Sequence, residues 1–512
     1  MSKVAKAAIG LMVVTLLGKI LGFGREIALA TAYGTSSYSD AYLVAINIPN
    51  VLFTTIGAAL STTFIPIFYD INENQGEEIS LQFTNNVLNI VVVICLVLIV
   101  VGLIFTEQIV KLFAMGFEGE VLNIAISFTR IVMPGIVFIG ITKIFSAYLN
   151  INDNFIIPGL ISIPYNIVII VFIILSRTIN PILLAYGTLI AMIFQCLFQI
   201  PPSYKYGYKY SNYLKLSDKN LQKVIILTGP VFIGVGVNQI NVMIDRTLAS
   251  TLVEGSISAL NYANKLNGFI MGIFIVSIVS VIYPMFSRLS AEKDIEQFNN
   301  TVSKSIKIVT LIIVPIAIGA ITLAKPIVKL LFERGAFDER ATYMTSIALI
   351  FYSIGMIGFA LREVLGKVFY SLKDTRTPMY NGVLAMIFNV ILNIILVRYM
   401  GHGGLALATS ISAILCIILL LISLKKRLNS LDLLSIIKIF IKSIIASIIM
   451  AIITIITYNC TISNTPTGDL YNVLVLIISI IIGAISYLLL IILFRVREVK
   501  DILTEIKYKI KN

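Results

Sequence analysis

Residues 84–106, TNNVLNIVVVICLVLIVVGLIFT, carry no charged side chain and are long enough to cross the hydrocarbon core of a bilayer as one helix. Comparable apolar stretches recur along all 512 residues, of which 58% are hydrophobic and 13% charged. Soluble domains average about a quarter charged residues. The composition predicts an all-α polytopic membrane protein. The first apolar run is followed by no small-residue cleavage site, so we expect a retained helix rather than a signal peptide.

Breaks between the apolar runs predict fourteen transmembrane helices. Their ranges are 6–32, 40–69, 84–106, 121–149, 156–176, 182–203, 221–251, 257–287, 303–324, 341–371, 379–398, 404–424, 435–458 and 472–494. Most lysines and arginines outside these ranges fall on the side that holds both termini, which the positive-inside bias makes cytoplasmic. We therefore expect a multi-pass protein of the bacterial cytoplasmic membrane. The net charge of +13 belongs to these loops and indicates no nucleic-acid partner.

The chain contains two similar halves. IVKLFAMGFEGE at 109–120 recurs as IVKLLFERGAFDER at 327–340, and SYSDAYLVA at 37–45 parallels GSISALNYA at 255–263. The matched turn residues favour duplication over chance similarity of apolar segments. Each half holds six predicted helices, and an even number gives both halves the same orientation.

This repeat predicts three parts: an N-lobe at 1–220, a C-lobe at 221–430, and two additional helices with a cytoplasmic tail at 431–512. Two six-helix lobes that face each other form a cleft, and rocking them exposes the cleft to each side of the membrane in turn. The sequence thus favours a transporter that works by alternating access.

Several charged residues lie inside predicted helices, where a charge at mid-bilayer costs roughly 2.5–3.5 kcal/mol. Each residue taken singly is explained equally well by a position at the interface or by snorkelling. Together they fall on equivalent helices of both lobes and predict a cationic cleft for an amphiphile with an anionic head. These residues are Lys19, Arg25, Glu26, Asp40, Asp245, Arg246 and Lys265.

Enzyme chemistry is not indicated. The four cysteines, Cys95, Cys196, Cys416 and Cys460, are scattered without metal-ligand or disulfide spacing. The glycine-rich segments have the wrong spacing for a phosphate loop, and neither an HExxH motif nor a nucleophile elbow occurs.

The segment KILGFGREIALATAYGTSSYSDAYLVAINIPN at 19–50 resembles the opening signature of the MurJ/MviN lipid II flippases. SALNYANKLNGF at 258–269, VFYSLKDTRTP at 368–378 and GGLALATSIS at 403–412 are similar to further family motifs, so the resemblance covers the whole chain. It implies the fold shared by multidrug, oligosaccharidyl-lipid and polysaccharide exporters. It also implies lipid II as the substrate, an undecaprenyl pyrophosphate bearing a disaccharide-pentapeptide that is moved from the inner to the outer leaflet for peptidoglycan synthesis.

The resemblance also implies substrate-binding residues. Arg25 and Asp40 match functional residues of the family, whereas Lys19 and Lys265 stand where many members have arginine, which keeps the charge but loses the bidentate fork. The second helix departs further, because it lacks the arginines and the glutamate of many relatives. At those positions this chain has Phe53, Thr54 and Ala58. We therefore expect a less cationic cleft.

Some family members bind sodium, and the resemblance carries that metal site onto five residues. They are Asp245, Asn389, Asn393, Leu405 through its carbonyl, and Thr409. Asn389 and Asn393 are four residues apart and share a helix face. Asn393 replaces the aspartate expected in sodium-binding relatives, which predicts a weakened site. The alternative is a polar network between helices, and sodium, protons and the membrane potential all stay open as energy sources.

Other functions remain open at the level of sequence. They are flipping of another lipid-linked oligosaccharide, a sporulation-type role, cation or drug antiport, and a non-transporting cell-wall scaffold. An antiporter would favour a carboxylate-lined pocket, whereas cations dominate here, and a scaffold would not place solvent-accessible charges in a cleft. The expected partners are lipid II, membrane lipids and cell-wall synthesis proteins, with the chain itself acting as a monomer.

Overall fold

The computed structural model describes residues 3–428, 432–463 and 468–499. Within these ranges the chain forms eighteen helices and no β-strand. The helices are α1 (Lys3–Tyr33), α2 (Ser37–Gln75), α3 (Glu77–Ile104), α4 (Thr106–Phe113), α5 (Gly119–Val132), α6 (Gly135–Ile151), α7 (Ile156–Leu160), α8 (Ser162–Thr178), α9 (Leu183–Lys205), α10 (Lys219–Ser250), α11 (Ser256–Glu292), α12 (Ile295–Thr322), α13 (Ala324–Phe332), α14 (Glu339–Ile354), α15 (Met356–Ser371), α16 (Arg376–Arg427), α17 (Leu433–Ser463) and α18 (Asp469–Leu493). The predicted all-helical class is confirmed.

Every predicted apolar segment overlaps one helix or two consecutive helices. Segments 379–398 and 404–424 both fall in α16, where Gly401 has φ 55° and ψ −135°, so two helices meet at that residue. By length and composition, eight helices of the described residues qualify as membrane spans, or ten if each bent pair counts as one span. This result supports a multi-pass membrane protein.

Two pairs of consecutive helices bend by the same angle. The α5–α6 pair and the α14–α15 pair are each bent by 44°. Pro134, which precedes α6, has no backbone N–H to continue the ladder of α5, and Gly355 ends α14. The short helices α4 and α13 precede these pairs and were not predicted, because eight or nine mixed residues do not form a span.

The chain divides into two compact units. Unit 1 contains Met1–Ser258 with Arg334–Phe337, and unit 2 contains Ala259–Glu333 with Asp338–Asn512. In unit 1, α10 packs against α2, although the sequence assigned it to the C-lobe. The predicted boundaries at residues 220 and 430 divide the chain by sequence repeat, whereas the two units are defined by compactness. These boundaries therefore remain predictions.

The core of unit 2 is built by α12, α15 and α16. Val302, Ile306, Val364, Leu365 and Leu424 are fully buried in one apolar cluster. Since lipid tails are as apolar as these side chains, the cluster stabilises the unit mainly through close packing.

In unit 1, three asparagines of α3 hold the loop that follows α9. Asn86 donates to the carbonyl of Lys215 at 3.0 Å and accepts from its N–H at 2.8 Å. Asn85 accepts from the Tyr208 hydroxyl at 2.6 Å, and Asn89 donates to the Tyr213 carbonyl at 2.9 Å. The amides of these asparagines thus bind backbone groups of the loop, which need partners when they are buried.

Candidate substrate-binding site

Arg25 lies on α1 beside a buried carboxylate. Its Nη2 donates to Oε1 of Glu26 at 2.6 Å, and the Glu26 residue is only 3% exposed. The Arg25 guanidinium carbon is 5.9 Å from the ring centroid of Tyr165 on α8, within range of a cation–π interaction. The carboxylate of Glu26 and the ring of Tyr165 therefore orient Arg25, one of the predicted binding residues.

Helix α1 reaches Tyr165 because it packs closely on α8. A Cβ atom at Gly18 would collide with the side chain of Ser162, the first residue of α8. Small residues allow such close approach between membrane helices. This contact brings Arg25 of α1 beside the aromatic residue of α8.

Asp40 is 4% exposed and binds backbone groups near the start of α11. Its Oδ2 accepts from the N–H of Gly255 at 2.8 Å, and its Oδ1 accepts from the N–H of Ser258 at 2.8 Å. A carboxylate at a helix N-terminus satisfies orphan donors and complements the helix dipole. Within unit 1, Asp40 thus joins α2 to the first turn of α11, and direct contact with substrate stays a prediction.

The surroundings of Asp40 are tightly interlocked. Gly255 has φ 89°, and a Cβ there would lie 2.6 Å from Cβ of Thr35, so this turn requires glycine. Ser37 donates its N–H to Oε1 of Glu254 at 2.6 Å. The N–H of Ala336, which belongs to unit 1, donates to the carbonyl of Thr31 at 2.9 Å. These contacts close the end of unit 1 where α1 meets α2.

Unit 1 also contains a cavity of about 340 Å³. Lys143 of α6, Tyr165 of α8 and Gln195 of α9 line it, together with Asn50 and Phe53 of α2. Lys143 and Gln195 were not among the predicted site residues. The available signal was a single lysine in an otherwise uncharged apolar helix.

The two lysines among the predicted substrate-binding residues lie in different units. Lys19 is half-buried on α1 in unit 1, whereas Lys265 is exposed on α11 in unit 2. Of the second-helix positions that depart from the family, Phe53 is fully buried, and the side chains of Thr54 and Ala58 lie outside the described residues.

The residues of the predicted sodium site are divided between the units. Asp245 is half-buried in unit 1, and the other four residues are in unit 2. Nδ2 of Asn393 donates to Oδ1 of Asn389 at 3.1 Å, as their shared helix face predicts. The Thr409 hydroxyl donates to the carbonyl of Leu405 at 2.9 Å. These groups offer the oxygen atoms that hard cations take, but some already serve as acceptors within the protein, so they fit a weak site.

A groove of about 860 Å³ runs along unit 2. Its walls are almost entirely apolar side chains of α12, α15, α16 and α17, including Leu361, Ile418 and Ile437. Lys425 and Lys426, near the end of α16, also line it. An apolar groove that ends at cations suits a long hydrocarbon chain attached to an anionic group.

Solved structures share this fold. A lipid II flippase MurJ in an inward closed conformation superposes with a TM-score of 0.82 at 29% identity, covering 95% of this chain and 99% of that one. An inward-facing multidrug resistance MATE transporter of the MOP superfamily gives a TM-score of 0.69 at 16% identity, covering 83% and 99% of the two chains. The fold is the one shared by the lipid II flippase MurJ and the MATE transporter.

Sequence comparisons identify the family among proteins of this fold. The family model described as lipid II flippase MurJ matches residues 29–494. A probable lipid II flippase MurJ of Buchnera aphidicola subsp. Baizongia pistaciae is 31% identical over 80% of this chain and 81% of its own length. The lipid II flippase MurJ of Burkholderia cenocepacia is 29% identical over 81% and 82%. This chain belongs to the MurJ lipid II flippase family.

Proposed function

We propose that this protein moves lipid II from the inner to the outer leaflet of the bacterial cytoplasmic membrane by alternating access, with both termini in the cytoplasm. The observation that carries the proposal is the family match over residues 29–494. The relatives named above are lipid II flippases, and the sequence features weigh against an antiporter and against a scaffold. We propose that the chain acts as a monomer among membrane lipids, with cell-wall synthesis proteins as further partners.

The geometry supports separate places for the two parts of such a substrate. Arg25, held by Glu26 and Tyr165, offers planar N–H donors suited to phosphate. The apolar groove of unit 2 offers a surface for the polyprenyl chain. A lipid-linked glycan needs both, because its pyrophosphate cannot be left without partners in hydrocarbon.

Fourteen spans and a parallel repeat are part of this proposal. Matching turns after α6 and α15 support the repeat: Asp153 and Lys373 have φ 56° and 57°. The next residue donates its N–H to the carbonyl five positions back in both turns, Asn154 to Leu149 and Asp374 to Phe369, each at 2.9 Å. Hydrophobicity alone does not require the two turns to have the same conformation. Duplication of an ancestral half predicts it.

Coupling of transport to a sodium ion is a further part of this proposal. Asn389, Asn393, Leu405 and Thr409 would supply neutral oxygens and Asp245 the carboxylate. The sodium gradient across the membrane would then drive transport. The purified protein should then melt at a higher temperature in sodium than in choline buffer, and Asp245→Asn should remove the difference. Equal melting in both buffers would leave protons or the membrane potential as the driver.

Depletion in the native host tests the substrate. Lipid II should accumulate on the cytoplasmic side, and the purified protein should restore flipping of labelled lipid II in vesicles. Accumulation of another lipid-linked oligosaccharide, with lipid II at normal levels, would replace the substrate but keep the mechanism.

A further inference from the structure

The proposed function assigns no role to Lys143, a positively charged residue of unit 1. Lys143 is the only charged residue among the 17 residues of α6. Ionisable residues inside membrane helices are rare, face protein or water, and commonly mark ligand pathways. We therefore expect the ammonium group of Lys143 to interact with a polar or charged group.

Lys143 lines a cavity and is not held in a structural ion pair by the described residues. Among the described residues, no acidic side chain forms a salt bridge with Lys143, whereas Arg25 is paired with Glu26. Asn50 and Gln195, which carry side-chain amides, line the cavity of about 340 Å³. This volume is near the lower end of the range for small-molecule sites, about 300–1,000 Å³.

The neighbouring helix leaves space for the lysine stem. A Cβ at Gly57 of α2 would lie 3.4 Å from Cγ of Lys143 and 3.0 Å from the Phe53 ring. Tyr165 connects the cavity to Arg25, since its ring both lines the cavity and lies 5.9 Å from the guanidinium carbon. The cavity thus adjoins the site proposed to hold the substrate head.

We propose that this cavity binds an oxyanion of the translocated lipid-linked glycan, with Lys143 as the charged contact and Asn50 and Gln195 as hydrogen-bonding groups. The inference rests on the proposed function. An ammonium is a compact point charge that binds phosphate or carboxylate, so the oxyanion comes either from the pyrophosphate or from the peptide. The cavity holds one such group with its nearest atoms, not the whole head.

Binding of two probes to the purified full-length protein tests the assignment. The probes are undecaprenyl pyrophosphate, which has no peptide, and lipid II. Lys143→Gln should weaken binding roughly tenfold, the loss expected for one hydrogen bond to a charged group. Weaker binding of both probes supports the pyrophosphate as the source, and weaker binding of lipid II alone supports the peptide carboxylates. Lys111→Gln, which removes an exposed lysine paired with Glu107, is the matched control and should change neither affinity.

A charge-restoration experiment guards against a folding defect. In a Cys460→Ser background, which removes the exposed cysteine and leaves three buried ones, Lys143→Cys should lose affinity. Modification with an aminoethyl thiosulfonate, which restores an ammonium, should recover it, whereas the sulfonatoethyl reagent should not. Unchanged affinity of Lys143→Gln for both probes, or equal recovery with both reagents, overturns the assignment of Lys143 and leaves lipid II flipping intact. Failure of the wild type to bind or flip lipid II overturns both proposals.

Discussion

Among single residues, Asp40 shows how a predicted binding residue can act through the backbone. Asp40→Ala should destabilise the protein by about 1–3 kcal/mol, because two buried N–H groups lose their acceptor. Thermal unfolding of the purified variant measures this loss. Asp294→Ala is a control that removes a single exposed cap bond to Gln297, for which we expect about 1 kcal/mol. Loss of transport at unchanged stability would instead place Asp40 in contact with substrate.

Arg25 calls for a test that separates ligand contact from charge balance. Arg25→Ala should abolish complementation at normal membrane abundance, and Arg25→Lys should retain part of it, since a point charge still attracts phosphate. The double variant Arg25→Gln/Glu26→Gln removes both members of the buried pair. It should remain inactive if Arg25 binds the substrate, whereas recovery of complementation would show that Arg25 only neutralises Glu26.

The charged residues of the candidate site could be predicted from the sequence, but most of the groups that they contact could not. Arg25 stands out because it interrupts an apolar helix, and Glu26 follows it directly. The partners of Asp40, Gly255 and Ser258, are more than 200 positions away, so no local pattern points to them. The cavity around Lys143 is likewise assembled from four separate stretches of helix.

At the scale of helices and loops, the asparagines of α3 should control the loop that follows α9. Asn86→Leu removes both the donor and the acceptor that hold Lys215. We expect faster proteolysis within residues 209–215, because local opening no longer breaks these bonds. Asn74→Leu is the matched control, since Asn74 is exposed and its amide donates to Asp70 one turn away. Equal cleavage rates would mean that the loop is fixed by other contacts.

The groove of unit 2 predicts a dependence on chain length. Ile418→Trp adds bulk to a lining position and should slow flipping of the undecaprenyl substrate several-fold in vesicles. A short-chain analogue should be moved at the normal rate. Ile456→Trp, at an exposed position of α17 away from the groove lining, is the control. Equal slowing of both substrates would indicate a general packing defect.

Long apolar elements were predictable, and short ones were not. Of the run 84–106, residues 84–104 lie in α3, because their length and lack of charge leave no other solution in lipid. By contrast, α4 contains Glu107 and Lys111 among eight residues, a composition equally typical of a loop. The bend before α6 was also missed, although Pro134 marks it, because proline does not always interrupt a span.

For the whole molecule, rocking of the two predicted lobes should separate Ser37, at the start of α2 in the N-lobe, from Glu254, just before α11 in the C-lobe. Oxidation of a Ser37→Cys/Glu254→Cys pair in the Cys460→Ser background should therefore stop flipping, and a reductant should restore it. Each single cysteine variant should stay active under oxidation. Transport that survives efficient crosslinking would contradict the separation of Ser37 from Glu254 during transport.

The strap formed by residues 334–337 has a consequence for synthesis of the chain. It completes unit 1, yet it follows Ser258 by about 75 residues, so at roughly 5–20 residues per second the ribosome delivers it about 4–15 s later. During that interval the Thr31 carbonyl has not met the Ala336 N–H that it accepts in the finished protein. Nascent chains stalled between these points should be held by the insertion machinery or degraded by membrane proteases, and release should coincide with emergence of the strap.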